Sequence, residues 1–419
     1  MTSIKAILRR TPIKALVDYI RYRRSAFARF EDHIPAATRR VSNKVISWAD
    51  DRADKQDERN VPRLFETSPD PVVRESFRLR KKLSREFHQR HEASPLRVLV
   101  HVPDQHRSPG GYSLFRNLID SADRLGYRVR ALAWSEDTED VLVQFKPNVL
   151  LTSDSQKWLG TIDWTAVEYY RRSQHLLLGL TASLEEEYNT PLSDRLRWAK
   201  KHGVSFYYVY DTPAYLASRK EAYAPFYDAG YAIYSYEYTV DPEKHYPVPN
   251  VERDIPYVFL GSGYRHRSKE QRYVEYFSAP LSKVPGVLYG PGWRGIKYQG
   301  IRPERDRYVY ARCKLGLNLS IARQLKWPSV LNERTYMLAA CGIPQLTDRP
   351  LFLSERFSDD ALYVADSPEE YAELFSYAID HPEESQERAL KSLRLVLTSH
   401  TNYHRCEEFF TDLEKELDT

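Results

Sequence analysis

The sequence predicts an α/β chain: two Rossmann-like, doubly wound domains facing a cleft, with a helical N-terminal extension. Three observations predict it. Short apolar runs alternate with amphipathic helical stretches, the pattern of a parallel sheet covered on both faces. The alternation occurs twice, on either side of the proline- and charge-rich segment Asp241 to Asp254. The first apolar strand begins only at Leu96, after a long stretch of helical and polar spacing. A length of 419 residues suits two or three domains.

The extension, residues 1–93, opens with Ile4, Ile7 and Leu8 on one helical face. Thr11-Pro12 then reads as an N-cap followed by proline at the first helical position. Ile13, Leu16, Val17 and Ile20 continue the apolar stripe, flanked by Lys14, Arg21, Arg23 and Arg24. Such a basic amphipathic helix either lies in an anionic membrane interface or packs on its own domain or a partner. Residues 49–70 read as a polar connector and residues 72–92 as a charged, solvated helix.

The first domain, residues 94–245, starts with the buried strand Leu96 to Val102. A loop with Pro109-Gly110-Gly111 leads into a helix from Tyr112 to Leu125, which Gly126 ends. Tyr127 to Trp134, Val149 to Thr152, Phe206 to Tyr210 and Tyr231 to Ser235 are the further strands. Asp241 to Asp254 links to the second domain, residues 246–401. Its strands are Tyr257 to Leu260, Val287 to Tyr289, Leu315 to Leu319, Ile343 to Leu346 and Leu362 to Val364. Ser367-Pro368-Glu369-Glu370 starts a helix with carboxylates in its first turn. A last helix, residues 402–419, is expected to pack back on the first domain.

Composition narrows the function classes. Hydrophobic residues at 42% and charged ones at 29% are those of an ordinary soluble protein. No apolar run approaches the ~18 residues of a membrane span. Lys and Arg interrupt the N-terminal apolar residues every few positions, unlike a signal peptide. Three separated cysteines suggest a reducing compartment and structural thiols. Residues 1–48 hold eleven Lys or Arg against three acids, a surplus of eight, while the whole chain carries +4. The body is therefore mildly acidic, which argues against a nucleic-acid binder and leaves a basic arm able to meet an anionic membrane. The 31 tyrosines offer flat faces with hydroxyls, suited to sugar rings and nucleobases as well as to core packing.

Several residues carry candidate chemistry. Gly261-Ser262-Gly263 follows a strand and precedes a helix, with Arg265, Arg267 and Lys269 just behind. Such a loop lets a phosphate approach backbone N–H groups. His266 replaces the third glycine of a dinucleotide fingerprint, which counts against an NAD enzyme. Gly110 and Gly111 form a second strand-end loop. Arg334, at a helix start, suits bidentate phosphate binding, and Asn332 and Glu333 beside it could bond sugar hydroxyls. Asp104, Asp154 and Asp211 each follow a strand; Asp211 is the preferred general base, against the reading of each as a helix cap. His101 and His106 stand near the first loop. No metal-ligand spacing is visible, so neither a metal nor another cofactor is expected.

The segment N-E-R-T-Y-M-L-A-A-C-G-I-P-Q-L-T-D, from Asn332, resembles the R-x-F-E-A-x-A-x-G-x-P stretch of CgeB-like glycosyltransferases, which have the GT-B architecture. From Val258 to Leu413 the order F-L-G-S-G, Y-G-P-G-W (with Gly290), L-G-L-N-L-S and H-T-N-Y-H-R is similar to their donor domain. The resemblance implies a nucleotide-sugar donor with its diphosphate near Gly263, Arg265, Lys269 and Arg334, and an acceptor entering from the first domain. Met337 stands where the family has a Glu that contacts the donor ribose. Either a thymidine diphosphate sugar, with fewer ribose hydroxyls, needs that Glu less, or Glu333 reaches the ribose instead. The expected function is sugar transfer to a glycan or lipid-linked glycan in polysaccharide synthesis, in the cytoplasm or at the inner face of the cell membrane. A GT-B epimerase or phosphorylase, or a non-catalytic nucleotide-sugar-binding module, is the alternative.

Overall fold

The computed structural model describes residues 34–54, 62–184, 190–263, 267–300, 303–320 and 331–418, apart from the side chains of 109, 267–271 and 303. The chain divides into two compact units. A five-stranded unit holds residues up to 75, 244–328 and 338–393. A six-stranded unit holds residues 76–243, 329–337 and 394 to the end. The boundary near residue 243 falls inside the proline-rich segment. The residues of 1–33, with their expected basic helix, lie outside the described ones.

The described chain opens with α1 (Ala36–Asp54) and α2 (Pro71–Phe87). Residues 49–54, read as connector from sequence, complete α1. The six-stranded sheet follows: β1 (Arg97–Val102), β2 (Arg128–Ala133), β3 (Val149–Thr152), β4 (Leu177–Thr181), β5 (Phe206–Val209) and β6 (Ile233–Ser235). All pairs are parallel, in the order β2-β1-β3-β4-β5-β6. Its crossovers contain α3 (Pro109–Leu125), α4 (Thr138–Phe145), α5 (Trp164–Arg171), α6 (Leu192–His202) and α7 (Lys220–Asp228). Val98, Leu99, Val100, Leu150, Leu151 and Leu178 are fully buried, as strands covered on both faces require.

The sequence reading did not assign β4. Its centre is Gly179, which weakens a strand signal. The structure shows why a side chain is missing there: a Cβ would come within 2.4 Å of the Phe206 ring on the neighbouring strand.

The five-stranded sheet contains β7 (Ile255–Leu260), β8 (Val287–Tyr289), β9 (Cys313–Leu317), β10 (Gln345–Asp348) and β11 (Tyr363–Ala365). It is parallel too, in the order β11-β10-β9-β7-β8. Its connections contain α8 (Arg267–Lys283), α9 (Pro303–Ala311) and α10 (Glu333–Ala340), and it is followed by α11 (Pro368–Asp380) and α12 (Pro382–Ser399). Ser367 caps α11 as its sequence suggests, accepting from the Glu370 N–H at 3.1 Å. The final helix, α13 (Asn402–Leu417), begins with a capping box between Thr401 and His404. It buries Cys406, Phe409, Phe410 and Leu413 completely and packs on α3 within the six-stranded unit. The three cysteines are buried thiols outside any disulfide.

Each sheet has a point where the strand order reverses, between β1 and β3 in one and between β7 and β9 in the other. Right-handed crossovers then put helices on both faces, and the strand carboxyl ends at that point are left open for ligands.

α1 is built into the five-stranded unit. β8 is an edge strand, and the Leu288 N–H that a further strand would pair donates to the Ser42 hydroxyl at 3.1 Å. Asn43 extends the contact, donating to the Gly295 carbonyl at 3.2 Å and accepting from the Lys297 N–H at 2.9 Å. Buried Arg305 lies over the Tyr289 ring at 4.5 Å and pairs with Asp50 of α1 at 3.6 Å. Among the described residues, no helix is long and apolar enough to cross a membrane.

Ser42→Ala leaves the buried Leu288 N–H without its acceptor. We expect a loss of about 1–3 kcal/mol, read as a lower urea midpoint with an unchanged slope.

Candidate functional site

At the switch point of the five-stranded unit, β7 runs into Gly261-Ser262-Gly263. Two loops close on each other here. Gly261 donates its N–H to the Tyr289 carbonyl at 2.7 Å, and Gly263 donates to the Pro291 carbonyl at 2.9 Å. The Trp293 indole donates to the Gly261 carbonyl at 2.7 Å. Gly290 has φ +146°, and a Cβ on it would stand 2.3 Å from the Gly261 oxygen. A Cβ on Gly263 would come 2.8 Å from Trp293. The sequence reading gives Gly261 and Gly263 the task of opening backbone N–H groups to a phosphate, and the family resemblance adds Gly290. The structure gives Gly263 and Gly290 a packing task, and the Gly261 and Gly263 amides are already donated. Arg265 and the Lys269 side chain lie outside the described residues.

Beside this loop sits a clamp that the sequence reading missed. Asp348, at the end of β10, accepts from the Ser320 N–H at 2.9 Å and pairs with Arg272 at 2.6 Å. Arg272 also donates to the Ser320 carbonyl at 2.9 Å and lies over the Tyr276 ring at 4.5 Å. The pair fixes the segment leaving β9. Asp348 was visible as the last residue of I-P-Q-L-T-D, but Arg272 is one charge among many on α8 and nothing in the sequence singles it out.

In the six-stranded unit the structure separates the candidate carboxylates. Asp104 is a turn cap, accepting from the N–H groups of His106 at 3.0 Å and Arg107 at 2.9 Å. Asp154 is buried, paired with Arg195 at 2.6 Å and accepting from the hydroxyls of Thr181 at 2.7 Å and Ser183 at 2.8 Å. Burial raises its pKa, against the pull of Arg195 and those hydroxyls. Neither is arranged as a base toward a ligand. Asp211 is half-buried beyond the end of β5, and its backbone carbonyl accepts from the Ser235 hydroxyl. Thr212 takes the capping role there, accepting from the Tyr215 N–H at 3.2 Å.

His101 is fully buried on β1, between the hydroxyls of Thr152 at 2.9 Å and Thr161 at 3.1 Å. Burial holds its pKa down to about 4, so it is neutral and structural. His106 is exposed in the loop after β1. Gly110 and Gly111 form the first turn of α3. A Cβ on Gly111 would come 2.8 Å from Trp158, while one on Gly110 would meet nothing within 4 Å. The glycine that matters is thus the one facing an indole. Ring contacts run on from there: Trp134 to Trp158 at 5.7 Å, Trp158 to Phe115 at 5.2 Å, Phe115 to Tyr210 at 6.2 Å and Tyr210 to Tyr238 at 5.4 Å. Trp134 and Tyr210 directly follow β2 and β5, and Asp211 is the next residue after Tyr210.

Residues 329–337, with the start of α10, group with the six-stranded unit. Asn332 caps the helix, its side-chain oxygen accepting from the Thr335 N–H at 3.3 Å. Glu333, Arg334 and Met337 are half-buried. Burial lifts the Glu333 pKa to about 7, with Arg334 opposing the shift. Burial and then Cys406 keep the Tyr236 hydroxyl neutral, with the Glu333 carboxyl adding to the effect. Among the described residues, no group of three or more His, Cys, Asp or Glu is arranged to hold a metal.

Residues 265–411 match a family model described as glycosyl transferase-like. No curated protein sequence matches the chain. Among solved structures, Anabaena HepE in complex with UDP and glucose is similar at 13% identity and a TM-score of 0.51, over 76% of this chain and 100% of that one. A glycosyltransferase from Rickettsia africae is similar at 10% identity and a TM-score of 0.51, over 78% and 99%. The shared architecture is GT-B, and this chain has that fold.

The raised Glu333 pKa sets a pH dependence. An unfolded Glu releases its proton near 4.5, whereas the folded one keeps it up to about 7. Between those values the native state binds more protons, so this contribution to stability is lost as pH rises through the window. We expect Glu333→Gln to be the more stable form at pH 8 and its advantage to vanish by pH 4. Each pH unit is worth about 1.4 kcal/mol at most, less for a half-exposed group. Urea titrations of both proteins at pH 4, 6 and 8 measure it.

Proposed function

We propose that the protein is a glycosyltransferase that moves a sugar from a nucleoside diphosphate donor to a hydroxyl of a glycan or lipid-linked glycan. The observation that carries this reading is the start of α10. There the segment matched by the glycosyl transferase-like model presents Arg334 and a proton-holding Glu333 in successive positions, both half-exposed. The R-T-Y-M-L-A-A-C-G run in the same helix supports a CgeB-like member of that class.

In this reading Arg334 holds the donor diphosphate, because its guanidinium forks onto two phosphate oxygens. Glu333 bonds a ribose or sugar hydroxyl in place of the Glu that Met337 replaces. Near neutral pH it can donate as well as accept. Asp211 acts as base: it takes the proton of the acceptor hydroxyl as that oxygen bonds to the anomeric carbon. The bond from that carbon to the diphosphate breaks, and the nucleoside diphosphate leaves with the electron pair, its charge matched by Arg334. The half-buried rings of Trp134, Tyr210 and Tyr238 suit the flat faces of acceptor sugar rings, with buried Phe115 and Trp158 packed between them. No resident cofactor enters this scheme.

A screen of nucleotide sugars by thermal shift tests the reading. A donor at about 100 times its dissociation constant stabilises the fold by about 2.7 kcal/mol. We expect a uridine or thymidine diphosphate sugar to do so, and Arg334→Met to weaken it at least about tenfold, about 1.4 kcal/mol. Preference for the uridine form would remove the thymidine explanation of Met337. Binding without transfer or hydrolysis would favour the non-catalytic module, and no binding would reject the donor site.

We further propose that the basic arm holds the enzyme at an anionic membrane face, where lipid-linked acceptors are built. Removing residues 1–33 deletes eight Lys or Arg and leaves α1 whole. Co-sedimentation with phosphatidylglycerol vesicles should fall sharply in the shortened protein and with added salt. Equal binding by both forms would defeat the idea.

A further inference from the structure

Glu237 is buried at 3% exposure and lies just beyond β6. One carboxylate oxygen accepts from the Tyr336 hydroxyl at 2.5 Å, and the other pairs with Arg405 of α13 at 3.0 Å. Arg405, 7% exposed, also reaches Glu408 at 3.1 Å and the Nδ1 of His400 at 2.7 Å, where the imidazole nitrogen accepts. The Thr239 hydroxyl donates to the His400 carbonyl, and the Asn402 N–H donates to the Val240 carbonyl at 2.9 Å. The strand end carrying Glu237 is therefore tied to the start of α13 by backbone as well as by charge. All of these residues belong to the six-stranded unit.

Tyr336 is completely buried and stands one turn after Glu333 on α10. Residues three apart share a helix face, so a bond that fixes Tyr336 fixes the rotation and height of Glu333 and its neighbour Arg334. A buried ion pair is a poor source of net stability, because desolvating both partners offsets their attraction. A shape-matched apolar pair would serve stability as well. What the charged arrangement supplies is direction: a carboxylate oxygen aimed at the Tyr336 hydroxyl.

We infer that Glu237, held by Arg405, is a positioning residue that sets the first turn of α10 through Tyr336 and thereby sets donor affinity. The inference rests on the proposed donor role of Glu333 and Arg334. Glu237 touches no reacting group; it acts through the helix.

The test uses the full chain and two variants, Tyr336→Phe and Glu237→Gln. The first removes a hydroxyl and keeps the ring; the second keeps the shape and removes the charge. Calorimetric titration with UDP and with dTDP measures binding per folded molecule, and thermal melting reports stability separately. We expect Tyr336→Phe to raise the dissociation constant of the preferred nucleotide at least about tenfold, about 1.4 kcal/mol, with a smaller rise for Glu237→Gln. Turnover should show a raised KM for the donor with kcat nearly unchanged, the signature of lost uniform binding. Lower melting temperatures with dissociation constants within about twofold of wild type would show a purely structural network and overturn the inference. If one variant does not fold, the other is decisive alone. A wild-type protein that binds neither nucleotide overturns the donor-site reading and this inference together, whereas normal wild-type binding with unaffected variants overturns only the inference.

Discussion

Burial of both faces of a parallel sheet is the constraint on which the rest of this structure depends. Strands such as Val98–Val102 and Val149–Thr152 have no exposed face on which to carry chemistry. Room for charged side chains opens beyond the strand carboxyl ends, and several charged pairs stand there. Asp348 and Arg272 stand there in one unit; Asp154, Asp211 and Glu237 stand there in the other. The aromatic line from Trp134 to Tyr238 follows the same rim.

A second regularity is how the charges at these rims are treated. Asp154 with Arg195, Asp348 with Arg272 and Glu237 with Arg405 are each buried or nearly so, and each partner makes further hydrogen bonds. Charges in such places persist only when paired. Glu333 is the contrast: burial outweighs the pull of the adjacent Arg334 and leaves it holding a proton to about pH 7. That shift toward neutrality, at a helix start, is the property on which the proposed donor role of Glu333 draws.

The sheet architecture was legible because apolar runs of four to six residues leave a strong signal wherever β-branched and aromatic residues dominate. In Leu177–Thr181 the central glycine weakened the signal although the strand is fully buried, whereas Leu315 to Leu319 remained legible despite Gly316. Glycines also misled in the other direction. Gly261, Gly263 and Gly110 look alike in sequence, yet one pair closes loops on a tryptophan and the other residue faces open space. Sequence shows that a backbone can approach something closely, but not whether that something is a phosphate or an indole. The carboxylates show the same limit. Asp104, Asp154 and Asp211 occupy equivalent positions after strands; a local turn sets Asp104 apart, and the distant Arg195 sets Asp154 apart. The Tyr336–Glu237–Arg405 chain spans 99 residues between its first pair and could not be read from local pattern at all.

The Ser42 contact to the outer strand of the five-stranded sheet also has a bearing on how this chain behaves in solution. An uncovered β8 would offer a ready template for a strand from another molecule. By lying along that border, the helix from Ala36 turns a sticky rim into ordinary surface. Cutting into that helix would therefore convert a protected molecule into one prone to self-association, whatever happens to its chemistry.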